Sequence, residues 1–157
     1  MNIKIEFRYS VLTALLLLLW LLIEYVAGLQ DNYIAFHPYV SLLAYAIPVF
    51  TFRLALLDKM EQKSGGLTYG QAFLCGFIMT IFFCALTVPV QLVFHKYINP
   101  DFFSNMILYT VKNSKQSPEQ AALFFNLKSY IAESVVANFV MGIIISAVLT
   151  FKMRTVN

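Results

Sequence analysis

The sequence predicts an all-α membrane protein: four transmembrane helices, with an amphipathic helix and an extended helix pair in the long loop between spans three and four. Three observations predict it. The 157 residues are 60% hydrophobic and only 12% charged, whereas a soluble domain carries about a quarter of its residues as charges. Mean hydropathy is +0.73. Four apolar runs are each long enough to cross ~30 Å of hydrocarbon, and they leave too little chain for a separate soluble domain of ordinary size. Residues 1–157 therefore read as one membrane domain, with the lipid bilayer as its first partner. The net charge of +3 comes from dispersed loop lysines rather than a basic patch, so no nucleic acid is implied.

The first span is residues 9–29, built around the leucine block Leu15 to Leu19. Lys4 and Arg8 precede it, and Val26-Ala27-Gly28 imitates a signal cleavage site. Three further spans favour a retained first helix. Glu24 lies about a turn before the end of this span. The following loop, Gln30 to Pro38, carries Asp31 and His37 but no Lys or Arg. The second span is residues 39–57, with a bend expected at Pro48, which interrupts the backbone ladder. Arg53, near its end, is expected to snorkel, with Glu6 or Asp58 as its nearest partners. The turn DKMEQKSGGLT follows, its charges and Gly65-Gly66 pair marking solvent. Thr68 and Gln71 have the form of a capping box.

The third span is residues 69–95. Gly76, Thr80, Cys84, Thr87, Gln91 and His95 recur every three or four residues, which keeps them within an arc of roughly 100°. This small and polar seam suits contact with other helices, while Phe77, Ile78, Ile81, Phe82, Phe83, Leu86 and Val88 suit lipid. Pro89 predicts a second kink.

Residues 99–129 form the helical loop. Asn99-Pro100-Asp101 reads as a helix start with Asn99 as the cap. Residues from Phe102 on are too interrupted to span and predict an amphipathic helix at the membrane surface or on the bundle. Ser117 and Gln120 form a second capping-box pattern. No breaker follows until Gly142, so one helix of ~35 residues and ~52 Å is expected from Pro118. Its membrane part is residues 130–151, with a seam of Tyr130, Ser134, Asn138, Gly142, Ser146 and Thr150 at a constant spacing of four. Such a ridge winds slowly around the helix, as a crossing neighbour requires.

Orientation follows from the distribution of cations. With both termini cytoplasmic, the inner segments hold seven (Lys4, Arg8, Arg53, Lys59, Lys63, Lys152, Arg154) and the outer ones four (Lys96, Lys112, Lys115, Lys128). The positive-inside rule favours that arrangement. It brings Glu24, Gln91, His95 and Glu133 to a similar outer depth, with Asn138 a turn deeper. These five are the candidate polar site. A carboxylate costs ~2.5–3.5 kcal/mol at the bilayer centre and less near the interface. Two readings are open: a shared site in which Glu24 and Glu133 hold a proton, a cation or a partner's lysine, or two carboxylates that reach water or pair with Lys96 and Lys128. The helix-packing seam is Gly76, Thr80, Cys84, Thr87, Ser134, Gly142 and Ser146.

Cys75 and Cys84 fall on opposite sides of one helix, ~13 Å apart along the axis. That excludes an intrachain disulfide and offers no metal-ligand spacing. There is no HExxH, CxxC, GxSxG or P-loop motif. No enzymatic activity, catalytic residue, metal or other cofactor is therefore expected.

The stretch FRLALLDKMEQKSGGLTYGQAFLCGF, followed by KYINPDF, resembles a family of small bacterial membrane proteins catalogued as domain of unknown function 4199. The resemblance rests on Arg53 after span two, on Gly66, Leu67, Thr68, Tyr69 and Gly70 before span three, and on Asn99 to Phe102 after it. It implies the four-span architecture and a bacterial inner-membrane location, and carries no activity. It also implies an association with membrane glycosyltransferases. The expected function is an accessory or scaffold subunit that docks helix to helix on another membrane protein, or on itself. The alternative is a small transporter, channel or lipid-binding protein built on the outer polar cluster.

Overall fold

The structure, a computed structural model, describes residues 3–63 and 66–153. Gly65 of the charged turn and Arg154 of the orientation argument lie outside the described residues. Helix α1 is Lys4–Val26. The second crossing is continuous from Ile34 to Glu61: a 3-10 turn at Ile34–Phe36, α2 at His37–Ser41, a second 3-10 turn at Leu42–Tyr45, and α3 at Ala46–Glu61. Helix α4 is Tyr69–Val93, continued by a π turn at Phe94–Ile98. Then come α5 at Phe102–Asn113, α6 at Pro118–Phe124 and α7 at Leu127–Met153. Four crossings are long and apolar enough for a bilayer, and the fold is a multi-pass membrane helical bundle.

Local chemistry explains most boundaries. The signal-like Val26-Ala27-Gly28 is a helix stop. Gly28 has φ +71°, its N–H bonds to the Tyr25 carbonyl, and the Leu29 N–H bonds to the Glu24 carbonyl, each at 3.0 Å. That is the Schellman pairing, which glycine closes without strain. At Pro48 the missing N–H frees the Ala44 carbonyl, and the 3-10 turn at Leu42–Tyr45 sits on that defect. Pro89 lies inside α4. Both capping boxes form, at Thr68 with Gln71 and at Ser117 with Gln120. The Ser117 hydroxyl also holds the Glu119 carboxyl below its ordinary pKa.

Phe83, expected to face lipid, is 2% exposed and turned into the bundle, and two helix boundaries are corrected. The long helix from Pro118 is two helices. Phe125 leaves the helical region (φ −88°, ψ 76°), and the Asn126 side chain accepts from the Ser129 N–H at 3.0 Å, capping the start of α7. Asparagine is a good cap, and here it wins over the apolar pattern running through it. Asn99 is not the cap of α5. It is buried, and its amide donates to Gln30 Oε1 at 2.6 Å, so α5 starts three residues later, behind Asp101. The Asn105 amide donates to the Gln30 carbonyl at 3.1 Å. Gln30, itself 1% exposed, thus ties the first loop to the third. Asn99→Ala is expected to cost about 1–3 kcal/mol by leaving a buried amide oxygen unpaired. Limited proteolysis checks it: cleavage within 99–117 should appear well before loss of the spans.

The four crossings form a ring in the order α1, α4, α7, α3. The closest approach is between α4 and α7. A Cβ on Gly142 would lie 2.5 Å from both Thr80 Oγ1 and Cγ2, and one on Gly76 would lie 2.7 Å from Ser146 Cβ. The two small-residue seams therefore interlock, glycine against hydroxyl residue, twice. Farther along, Asn138 Nδ2 donates to Thr87 Oγ1 at 3.0 Å.

The two ends of the bundle differ. At the Glu6 end lies the apolar core, with Phe52, Ala55, Leu56, Ala72, Met79 and Ile145 at its centre. Its outer edge carries two ion pairs, Lys59 with the buried Glu6 and Arg8 with Asp58. The Tyr9 hydroxyl also donates to Asp58, at 3.0 Å. Both partners expected for Arg53 are thus taken, and Arg53 is exposed. The Glu24 end has a cavity where the core would continue.

Candidate functional site

The cavity has a volume of about 320 Å³ and touches all four crossings. Glu24, Gln91, Glu133 and Asn138 all line it, together with Trp20 and Tyr130. Its floor is Ala14 and Pro48. Directly beneath, the Thr13 and Thr51 hydroxyls are hydrogen-bonded at 2.7 Å, with Thr51 also turned back on the Ile47 and Pro48 carbonyls. Pro38, Leu42, Glu133 and Ala137 are the exposed part of the lining. The opening therefore lies between α7 and the segment just before α3, facing sideways rather than along the bundle axis.

Glu24 is placed by the last turn of α1 and is 1% exposed. It neither reaches water nor pairs with a lysine. Its Oε1 accepts from Trp20 Nε1 and from the Ser41 hydroxyl, both at 2.7 Å. Trp20 stands one turn before Glu24 on the same helix face, the spacing at which helical side chains meet. Ser41 arrives from the end of α2. Oε2 has no hydrogen bond among the described residues. His37 Nε2 lies 3.6 Å from it, too far for a hydrogen bond of normal geometry, and also has no hydrogen-bond partner among them. Gln91 Oε1 is a second buried acceptor with no donor among them. Buried polar groups usually find partners, so each of these two acceptors can take a donor from a molecule in the cavity.

His95 is the one residue of the expected polar site that does not line the cavity. Its ring is packed among Phe102, Phe103, Phe94 and Tyr130, with centroids 4.8 to 5.2 Å away. Phe102 also contacts His37, at 5.3 Å. The two histidines thus flank one phenylalanine in an aromatic lid over the Glu24 end. The π turn at Phe94–Ile98 sets His95 there, because the wider turn swings it out of the seam that Thr87 and Gln91 continue.

Sequence reasoning missed Trp20, Ser41 and His37. Trp20 had a signal: it precedes Glu24 by four residues and is the only tryptophan of the chain. So did α1 as a whole, where Glu6, Ser10, Thr13, Leu17, Trp20 and Glu24 repeat at spacings of four and three along one face. Ser41 and His37 had none, since their approach depends on how α2 docks.

No curated protein and no solved structure matches the chain. A family model does, over residues 8–155, under the description "Protein of unknown function (DUF4199)". With nearly the whole bundle inside that match, from Arg8 of α1 to beyond the end of α7, the chain belongs to this family.

Proposed function

We propose that the protein binds a small amphiphilic ligand within the membrane, in the cavity between its four crossings, without chemical conversion. The observation that carries this reading is the exchange of apolar core for a lined cavity in one half of the bundle. A volume of this size is at the lower end of small-molecule sites, which are mostly apolar with a few placed polar groups. The lateral opening gives a molecule dissolved in the bilayer a way in. On the positive-inside argument the termini are cytoplasmic and the cavity lies in the outer half of a bacterial inner membrane.

The test is native mass spectrometry of protein extracted from its own membrane in mild detergent. Wild-type protein is expected to carry a bound small molecule, and Ala137→Phe, which fills the cavity from its lining, to have lost it. An empty wild-type protein, or equal occupancy of the two, would overturn the reading.

One observation favours a second reading, an accessory or scaffold subunit that docks on a membrane glycosyltransferase. Leu108, Leu123 and Phe124 are 68%, 73% and 60% exposed on α5 and α6, outside the four crossings. Co-purification in mild detergent tests it. Recovery of the chain alone as a monomer, in several detergents, would count against it.

A further inference from the structure

The cavity's chemistry narrows its ligand class, and the inference rests on the ligand-binding reading above. We propose that the ligand is a hydrophobic amine, whose ammonium group binds between Glu24 and Glu133 while its apolar body fills the rest of the cavity.

The argument begins with donors and acceptors. Glu24 Oε1 is saturated by Trp20 and Ser41, while Oε2 is buried and has no donor among the described residues. Gln91 Oε1 lacks one too. An ammonium group carries three donors and no acceptor, the complement of such a site. Charge points the same way. Glu24 and Glu133 both line the cavity, and among the described residues no Lys or Arg does. His37 is the nearest basic group, yet it stops 3.6 Å short of Oε2. Glu24 is 1% exposed, so an ion pair formed with it is shielded from water and its charged hydrogen bond is stronger than at a surface, while Glu133 stands at the exposed mouth.

The carboxylates present do not make a divalent-metal site. Ca²⁺ and Mg²⁺ require six or more oxygen ligands, and no group of metal-ligating side chains occurs among the described residues. Four aromatic side chains, Trp20, Tyr45, Phe83 and Tyr130, line the same cavity, and Trp20 touches Glu24 directly. Such rings accept an organic cation on their faces and an alkyl chain along their edges. Taking ~30 Å³ per non-hydrogen atom, as for liquid water, the cavity holds about ten, the size of a short alkyl or cycloalkyl amine.

Trp20, the sole tryptophan, reports directly because its N–H bonds to Glu24. In nanodiscs, Trp20 emission is titrated with 4-cyclohexylbutylammonium and with the neutral 4-cyclohexylbutanol. The ammonium is expected to give a saturable change at least about tenfold tighter than the alcohol. Glu24→Gln is expected to abolish that preference. Should Glu24→Gln fail to fold, Gln91→Leu serves, with an expected several-fold loss for the ammonium alone. Equal saturable binding of ammonium and alcohol would overturn the amine assignment and leave the cavity reading intact. No saturable change with either would overturn both. Ammonium preference unchanged in the variants would place its binding elsewhere and overturn the assignment.

Discussion

Gly142→Val is expected to unfold a large fraction of the bundle in detergent. Thr80 occupies the space that any side chain at residue 142 would need, at 2.5 Å from a first carbon. Gly76 and Ser146 stand in the same relation, so α4 and α7 cannot separate at one point without losing the other contact. Overpacking of a close interface costs about 1–3 kcal/mol, and two backbones held apart belong at the upper end. In lipid there is no hydrophobic drive to restore the contact, because close packing itself supplies the association. A denaturant titration in mixed micelles, followed by tryptophan emission, measures the effect. Thr80→Ala should recover part of the loss in Gly142→Ala, since the clashing atoms are those it removes. Gly70→Ala is the control: a Cβ there meets nothing within 4 Å, so improved helix propensity predicts no loss, and a gain of up to about 1 kcal/mol. If Gly142→Val is as stable as Gly70→Ala, the interlocked crossing is wrong.

Lys59→Met should produce the second large effect. Glu6 is 1% exposed and pairs with Lys59 at 2.5 Å; its second oxygen has no hydrogen bond among the described residues. Removing the lysine leaves a buried charge uncompensated, a loss of about 3–5 kcal/mol in comparable cases. Lys59 is partly exposed, and solvent at the membrane edge moderates the loss toward the lower figure. The double variant Glu6→Leu with Lys59→Met should recover most of it, because a matched apolar pair replaces a buried ion pair at little cost. The same denaturant titration distinguishes the outcomes. A Lys59→Met protein as stable as wild type would show that Glu6 is not held by this pair.

Both effects arise where helices meet, and this is where legibility in the sequence divides. The number of crossings, both capping boxes and the two small-residue seams were readable because they depend on local pattern: length of apolar run, hydroxyl and amide three residues apart, glycine recurring on a helical face. Asn126 shows how a local signal can still be outweighed in reading. Its capping chemistry was present, but the apolar periodicity on either side suggested one continuous helix. Asn99 shows the opposite error. Its cap-like position before Pro100 was accurate as local chemistry, and the tertiary partner Gln30 claimed its amide instead.

For the candidate site, counting residues along each helix put Glu24, Gln91, His95 and Glu133 at a similar level with Asn138 a turn deeper, and all but His95 line one cavity. It did not show which of them face one another. Rotation of each helix about its axis is set by the neighbour it packs against, and the α4 to α7 crossing fixes that rotation through Gly76, Thr80, Gly142 and Ser146, about one to two turns along these helices from the cavity lining. His95 left the expected group because a π turn, invisible in periodicity, carried it into an aromatic cluster. Sequence alone determined a four-crossing membrane bundle with polar residues toward one end. Only the tertiary structure decided that those residues enclose a cavity, that Glu24 is buried rather than solvated, and that one of its oxygens has no donor among the described residues. The reason is physical: hydrophobicity and helix periodicity act along one chain segment, whereas a cavity exists only in the mismatch between several packed faces.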